Sequence, residues 1–287
     1  MPYSFSTYVD NQPLPAGPPL PLCHVTSPAG LVAILTAGKI EAFKDDLAPT
    51  NGKSYAFYGR PAYVRERHNG QYSDQTVRHP ACILFKTDLL ASAADYYPFD
   101  TGAFLAGRYD NYLQDAIPPN PQAPTKPKEK KREECLHFLL KNDISTPTKF
   151  VPSFYKDNAA YFKAKPSAPL QRQANSLLVE AYFNLINASI STDFDGRARA
   201  LEVSWNVPLD VNPQTVERIF VSDETTQTAQ VRTLLKPFGS NVEYWYAQGG
   251  CSERESWAYM SERIRSYMTD RGYLNFPLYH TPQVGMP

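Results

Sequence analysis

The stretch DFDGRARALEVSWNVPLDVNPQTVERIFVSDE, Asp193 to Glu224, sets the reading of the whole chain. From Ala200 to Val207 its residues alternate: Leu201, Val203, Trp205 and Val207 face one way, Glu202, Ser204 and Asn206 the other. That two-residue period predicts a half-buried strand. The connection from Pro208 to Pro213 breaks the run, and Val216 to Val221 resumes as a second β-rich segment that Ser222 and Asp223 end. Glu202 is thereby placed on the face opposite the apolar one, with Arg197 and Arg199 just upstream. An acid fixed on a strand beside cations suits catalysis, because strands hold side chains more tightly than loops do. The competing expectation is a solvated glutamate on an edge strand, where glutamate ordinarily sits.

Working outward, the first 20 residues are dense in proline and read as an irregular, partly extended lead-in. Leu22 to Ser27 reads as a short strand. The helix after it has Ser27 as N-cap, Pro28 at its first position, Leu31, Ile34 and Leu35 as its apolar stripe and Gly38 as its stop. Ile40 to Phe43 follows as a strand. SYAFYGRPAY, Ser54 to Tyr63, is an aromatic strand that stops at Gly59, Arg60 and Pro61, leaving the Arg60 guanidinium at a strand end, where ligand sites often lie. A surface arginine in a turn is the alternative. His79 to Lys86 is a buried-strand candidate, and Tyr96 to Ala103, YYPFDTGA, reads as a loop. Pro118 to Arg132, five prolines running into a basic cluster, predicts an exposed loop. Leu170 to Ser189 is the best amphipathic helix, with Leu177, Leu178, Ala181, Tyr182 and Leu185 on one side. Thr228 to Leu235 and Ser252 to Tyr267 read as helices, Val242 to Tyr246 as a strand, and residues 277–287 as a tail. Without a repeat or a second domain signal, residues 21–276 form one α+β domain with helices inserted among strands.

The 287 residues can bury a substantial core. The 29 basic and 29 acidic residues cancel, so no global charge points to nucleic acid or a membrane surface. With 19 Tyr and 15 Phe, tyrosine-lined grooves are expected. Cys23, Cys82, Cys135 and Cys251 are far apart, without metal-ligand spacing, which argues against structural zinc or a disulfide framework. No apolar run approaches the roughly 20 residues that span a bilayer. The expectation is a cytoplasmic protein without a membrane partner. Glycine-rich dinucleotide and Walker loops and the GxSxG elbow are absent, which argues against dehydrogenase, ATPase and serine-hydrolase chemistry. Cys251 or Cys135 with His137 would make a nucleophilic pair, but no motif stands behind it.

Three stretches together resemble the ADP-ribosyltransferase superfamily, the NAD-dependent enzymes that include diphtheria-type toxins, poly-ADP-ribose polymerases and toxin-type enzymes that modify DNA. CHVTSPAGLVAILTAGKIEA is similar to the family's opening strand and helix with its His-x-Thr or His-x-Ser start, here His24-Val25-Thr26. YAFYGRPAY is similar to the second aromatic strand, with Tyr58 nearest to the family tyrosine, and RALEVSWNVPLDVNPQTVERIFVSD to the late strand that bears the catalytic glutamate, here Glu202. The resemblance is scattered over about half the chain, from His24 to Asp223. It departs from the polymerase-like branch at Arg60 and in the Pro-rich insertion.

What the resemblance implies is a single-domain split β-sheet with flanking helices, whose halves hold NAD between them. NAD would be the co-substrate, cleaved at the nicotinamide-ribose bond, with ADP-ribose passed to a macromolecular acceptor, nucleic acid or protein, by a toxin or defence protein. Glu202 would stabilise the developing positive charge. His24 would bond a ribose hydroxyl with Thr26 in support, Tyr58 would stack on nicotinamide and Arg60 would clamp phosphate. Asp100 and Thr101 would line the pocket. An NAD-dependent RNA 2′-phosphotransferase and a catalytically silent binding module of the same fold are the competing expectations.

Overall fold

The computed structural model describes residues 4–12, 17–42, 52–62, 67–68, 71–72, 79–105, 107–113, 135–167, 176–188, 196–246 and 251–275. The expected loop at 118–132 and the tail at 277–287 lie outside them. The strands are β1 (Leu22–Thr26), β2 (Lys39–Ile40), β3 (Ser54–Tyr58), β4 (Arg67–His68), β5 (Gln71–Tyr72), β6 (Ala81–Phe85), β7 (Asp95–Tyr97), β8 (Glu202–Trp205), β9 (Leu209–Asp210), β10 (Val216–Ser222) and β11 (Val242–Trp245). Seven of them form one sheet in the order β11-β10-β6-β1-β3-β8-β7, antiparallel except for the parallel pair β10 and β11. β2 pairs with β9 and β4 with β5 in separate two-stranded pieces. The described helices are α1 (Phe5–Asp10), α2 (Pro28–Ala37), α3 (Thr101–Leu105), α4 (Asp110–Leu113), α5 (Thr146–Phe154), α6 (Asn158–Phe162), α7 (Leu177–Asn187), α8 (Ala229–Leu235) and α9 (Glu253–Asp270). The chain is therefore α+β.

The sheet is weakest at its middle. β1 pairs with β6 at all five of its positions, from Leu22↔Phe85 to Thr26↔Ala81, but with β3 only at Leu22↔Tyr58 and Cys23↔Phe57. Past Cys23 that ladder ends, although both strands continue. The gap is bridged by a side chain, the His24 imidazole, whose Nδ1 lies 3.1 Å from the Tyr55 carbonyl oxygen. Across the paired end, Leu84, Cys23, Phe57, Glu202 and Tyr97 stand in register on five neighbouring strands and share one face. At the usual strand spacing Cys23 and Glu202 are about 10 Å apart.

Helix punctuation in the sequence acts as expected at α2: the Ser27 hydroxyl accepts from the Gly30 N–H, and Gly38 closes the helix in the left-handed conformation. α9 opens on a capping box between Ser252 and Glu255. It is fastened to β10 by the Glu217 carboxylate, which accepts from the Tyr267 and Tyr273 hydroxyls.

Other expectations are corrected. The lead-in carries α1, capped by Ser4, whose Phe5 and Val9 are fully buried. Phe5 packs against Phe138, Phe154 and Tyr182, so aromatic burial organises a stretch that the prolines had marked as irregular. The segment 96–103 is not a loop: Tyr96 and Tyr97 end β7, and Asp100 starts α3 by accepting from the Ala103 N–H at 2.6 Å. Leu177 is 69 % exposed, whereas Val179, Phe183 and Ile186 join Ala181, Tyr182 and Leu185 inside.

Five of the tyrosines serve the core instead. Tyr58, Tyr96, Tyr155, Tyr161 and Tyr182 are interior residues whose hydroxyls are spent on backbone. Tyr161 donates to the Tyr58 carbonyl and accepts from the Leu201 N–H, and Tyr182 donates to the Pro98 carbonyl. A buried tyrosine needs such a partner for its hydroxyl.

Gly59 sets the corner after β3. Its φ is +65°, and a Cβ there would lie 2.3 Å from Leu20 Cδ1 and 2.8 Å from Leu20 Cβ. Gly59→Ala combines a left-handed penalty with overpacking and should cost about 3 kcal/mol. Gly38→Ala, at φ +67° with open space around it, should cost only about 1 kcal/mol. Denaturant unfolding of both variants measures the difference; equal losses would show that backbone strain alone matters at Gly59.

Candidate functional site

Glu202 is the first residue of β8, reached through a single 3-10 turn at Arg197–Arg199. It is only 4 % exposed, so the solvated edge-strand expectation is overturned. β8 lies between β3 and β7, and the segment after β7 folds over it. The Thr101 hydroxyl donates to Glu202 Oε1 at 2.7 Å and the Thr101 N–H to Oε2 at 3.3 Å. Around this pair, Arg197 Nη1 lies 3.7 Å from Asp100 Oδ2, and the Asp100 N–H donates to the Arg197 carbonyl at 3.2 Å. On the same face of β8, Ser204 Oγ reaches Asp95, which pairs with Lys53 at 2.5 Å. Burial, and next the Asp100 charge, push the Glu202 carboxyl well above the usual carboxylate range, against the Thr101 donors and Lys53, which favour the charged form.

His24 is half-buried where β1 and β3 part. A carbonyl can only accept, so Nδ1 carries the hydrogen and the neutral ring presents Nε2 as an acceptor. Burial lowers its pKa, and the bond to Tyr55 opposes the shift. Thr26, two residues on, directs its hydroxyl at α2: a Cβ on Gly30 would lie 2.1 Å from Thr26 Oγ1.

Tyr58 stands apart from the others. It is 1 % exposed, its hydroxyl accepts from the Leu20 N–H at 2.9 Å, and its ring packs 6.3 Å from that of Tyr161. A ring enclosed in this way has no face to offer a nicotinamide. Arg60 is also interior, at 8 % exposure, rather than projecting from a surface turn. Its Nη1 donates to the carbonyls of Arg199 at 3.3 Å and Tyr161 at 3.5 Å, both long, and its buried Nε has no partner. Among the described residues no carboxylate pairs with it.

The structure thus brings Glu202, Thr101 and Asp100 into contact and sets Arg60 behind the turn that leads into β8, but it places His24 by the gap in the sheet on the face opposite Glu202, because the preceding Cys23 shares the Glu202 face. Arg197, Asp95 and Lys53 complete the polar cluster. Arg197 was flagged by its nearness to Glu202, but nothing in the sequence pointed to the other two. Among the described residues no cluster of His, Cys, Asp and Glu is fit to hold a metal ion, and no helix is long and apolar enough to cross a membrane. Compared with models of known protein families the chain matches none, and no curated protein matches it in sequence.

Proposed function

We propose that the chain is an NAD-consuming enzyme of the ADP-ribosyltransferase type, which cleaves the nicotinamide-ribose bond and passes ADP-ribose to a macromolecular acceptor. The observation that carries this reading is Glu202, a buried carboxylate fixed on β8, the neighbour of the strand β3 that parts from β1. A carboxylate taken out of water on a strand costs free energy and serves reaction better than folding. The parting of β1 and β3 supports the expectation of a sheet split around a ligand.

The residues fit parts of NAD unequally. Glu202 retains acceptor capacity on both oxygens beyond Thr101, whereas the His24 acceptor nitrogen stands on the opposite face of the sheet and fits a ribose hydroxyl shared with Glu202 poorly. Arg60, with its unpartnered Nε, suits a phosphate oxygen. Tyr58 does not fit the stacking role, and Thr26 supports α2 rather than a ligand. NAD would supply the ribose carbon and the nicotinamide leaving group. Glu202 would accept from a ribose hydroxyl and lay its negative charge beside the carbon that becomes positive.

The test is release of nicotinamide from ring-labelled NAD, alone and with DNA, RNA or protein. Label from the adenosine half appearing on one acceptor would support the proposal and identify the target. Loss of phosphate from a 2′-phosphorylated RNA would favour the phosphotransferase, and NAD bound but intact under every condition would leave a binding module.

A further inference from the structure

The Glu202 carboxylate is gripped by one residue from a distant part of the chain. Thr101 spends its hydroxyl on Oε1 and its backbone N–H on Oε2, at 2.7 and 3.3 Å. One donor per oxygen fixes the carboxylate plane against both rotation and tilt, which a single hydrogen bond would not do. Each oxygen has two acceptor sites, so one on each is left for another donor. Thr101 is itself held in place. Asp100 before it bonds through its N–H to the Arg197 carbonyl, through Oδ1 to the Ala103 N–H and through Oδ2 to the Arg197 guanidinium. The Pro98 carbonyl accepts from Tyr182 at 2.8 Å. Arg197 belongs to the turn that enters β8, so this chain of contacts leaves the Glu202 segment and returns to it.

We infer that Thr101 is the positioning residue of Glu202, holding the carboxylate in place for a substrate hydroxyl rather than touching NAD itself. The inference rests on Glu202 being the acid at the reacting centre. Hydrogen bonds to a carboxylate favour its charged form, against burial and Asp100. Among the described residues the other charged or titratable groups facing this site are Cys23, Lys53, Tyr55, Asp95, Tyr97 and Arg197, with Cys135 beside Tyr97.

Thr101→Val keeps the branched shape and the N–H but removes the hydroxyl, whereas Thr101→Ser keeps the hydroxyl. A carboxyl 13C NMR titration, with the Glu202 signal assigned by its loss in Glu202→Gln, follows ionisation without NAD. Glu202 should titrate at higher pH in Thr101→Val and return close to the wild-type position in Thr101→Ser. In nicotinamide release, Thr101→Val should lower kcat by about 10- to 100-fold, with KM for NAD within about threefold of wild type. The acid limb of its kcat profile should move to higher pH. A folded Thr101→Val in which Glu202 titrates as in wild type overturns the positioning role whatever the activity. A shifted titration in a protein that never releases nicotinamide would leave Thr101 as the holder of Glu202 and overturn only the enzymatic reading.

Discussion

Glu202→Gln is expected to slow nicotinamide release by about 100- to 1,000-fold, roughly 3–4 kcal/mol of lost transition-state stabilisation. The amide matches the carboxylate in shape and can accept from the Thr101 N–H through its oxygen while its NH2 donates to the Thr101 hydroxyl, so the corner after β7 should remain docked on β8. What is lost is the negative charge, which matters most when positive charge builds on the ribose. NAD affinity should therefore change little, because an interaction made only in the transition state leaves ground-state binding intact. Stability should move the other way. The folded-state pKa of Glu202 is raised above its unfolded value, so its contribution is most favourable at low pH and is lost as pH rises through the folded pKa. Wild type should lose stability from this group across that window, and Glu202→Gln should not. Thermal melts from acid to neutral pH compare the two directly. Equal turnover in a folded variant would remove Glu202 from the reaction, and parallel pH–stability curves would contradict the buried, strained state of its charge.

Much of this site was legible because strands carry a simple code. Alternation placed Glu202 and Val203 on opposite faces, and glycine with proline marked where β3 ends. Helix α2 could be read from Ser27, Pro28 and Gly38 because its caps are local hydrogen bonds between near neighbours. Burial was not legible in the same way. The side of β8 that alternation assigned to solvent is covered by the segment after β7, about a hundred residues earlier in the chain, and no local pattern records that crossing. The same limit explains Tyr58. Its place on an aromatic strand was evident, but its enclosure depends on Leu20 and Tyr161, which come from both sides in sequence. Asp100 and Thr101 were expected on a loop because the stretch YYPFDTGA is rich in hydrogen-bonding and turn residues. The Asp100 carboxylate instead caps a short helix and turns Thr101 toward Glu202.

Arg60→Met should separate binding from folding more sharply than any other substitution in the chain. A guanidinium at 8 % exposure, whose bonds among the described residues run through Nη1 to two carbonyls at 3.3 and 3.5 Å, is poorly compensated for leaving water. Its Nε is buried without a partner, and a Cβ on Gly196 would lie 2.9 Å from Nη2, so a glycine there spares that edge of the fork. Replacing a buried charge by an apolar side chain of similar length is often neutral or stabilising. The Met variant should therefore melt at or above the wild-type temperature. If Arg60 clamps the diphosphate, losing its charge-assisted bonds should weaken NAD binding by about 100-fold. ADP-ribose, which keeps the diphosphate but lacks nicotinamide, should lose affinity to the same degree. Arg60→Lys keeps a charge but not the planar fork, and should fall between, at about a tenfold loss. Calorimetric titration with NAD and ADP-ribose, beside thermal melts, measures all of these. A Met variant that melts well below wild type and still binds both ligands would make Arg60 a structural cation of the turn into β8, and the phosphate clamp would have to be sought elsewhere.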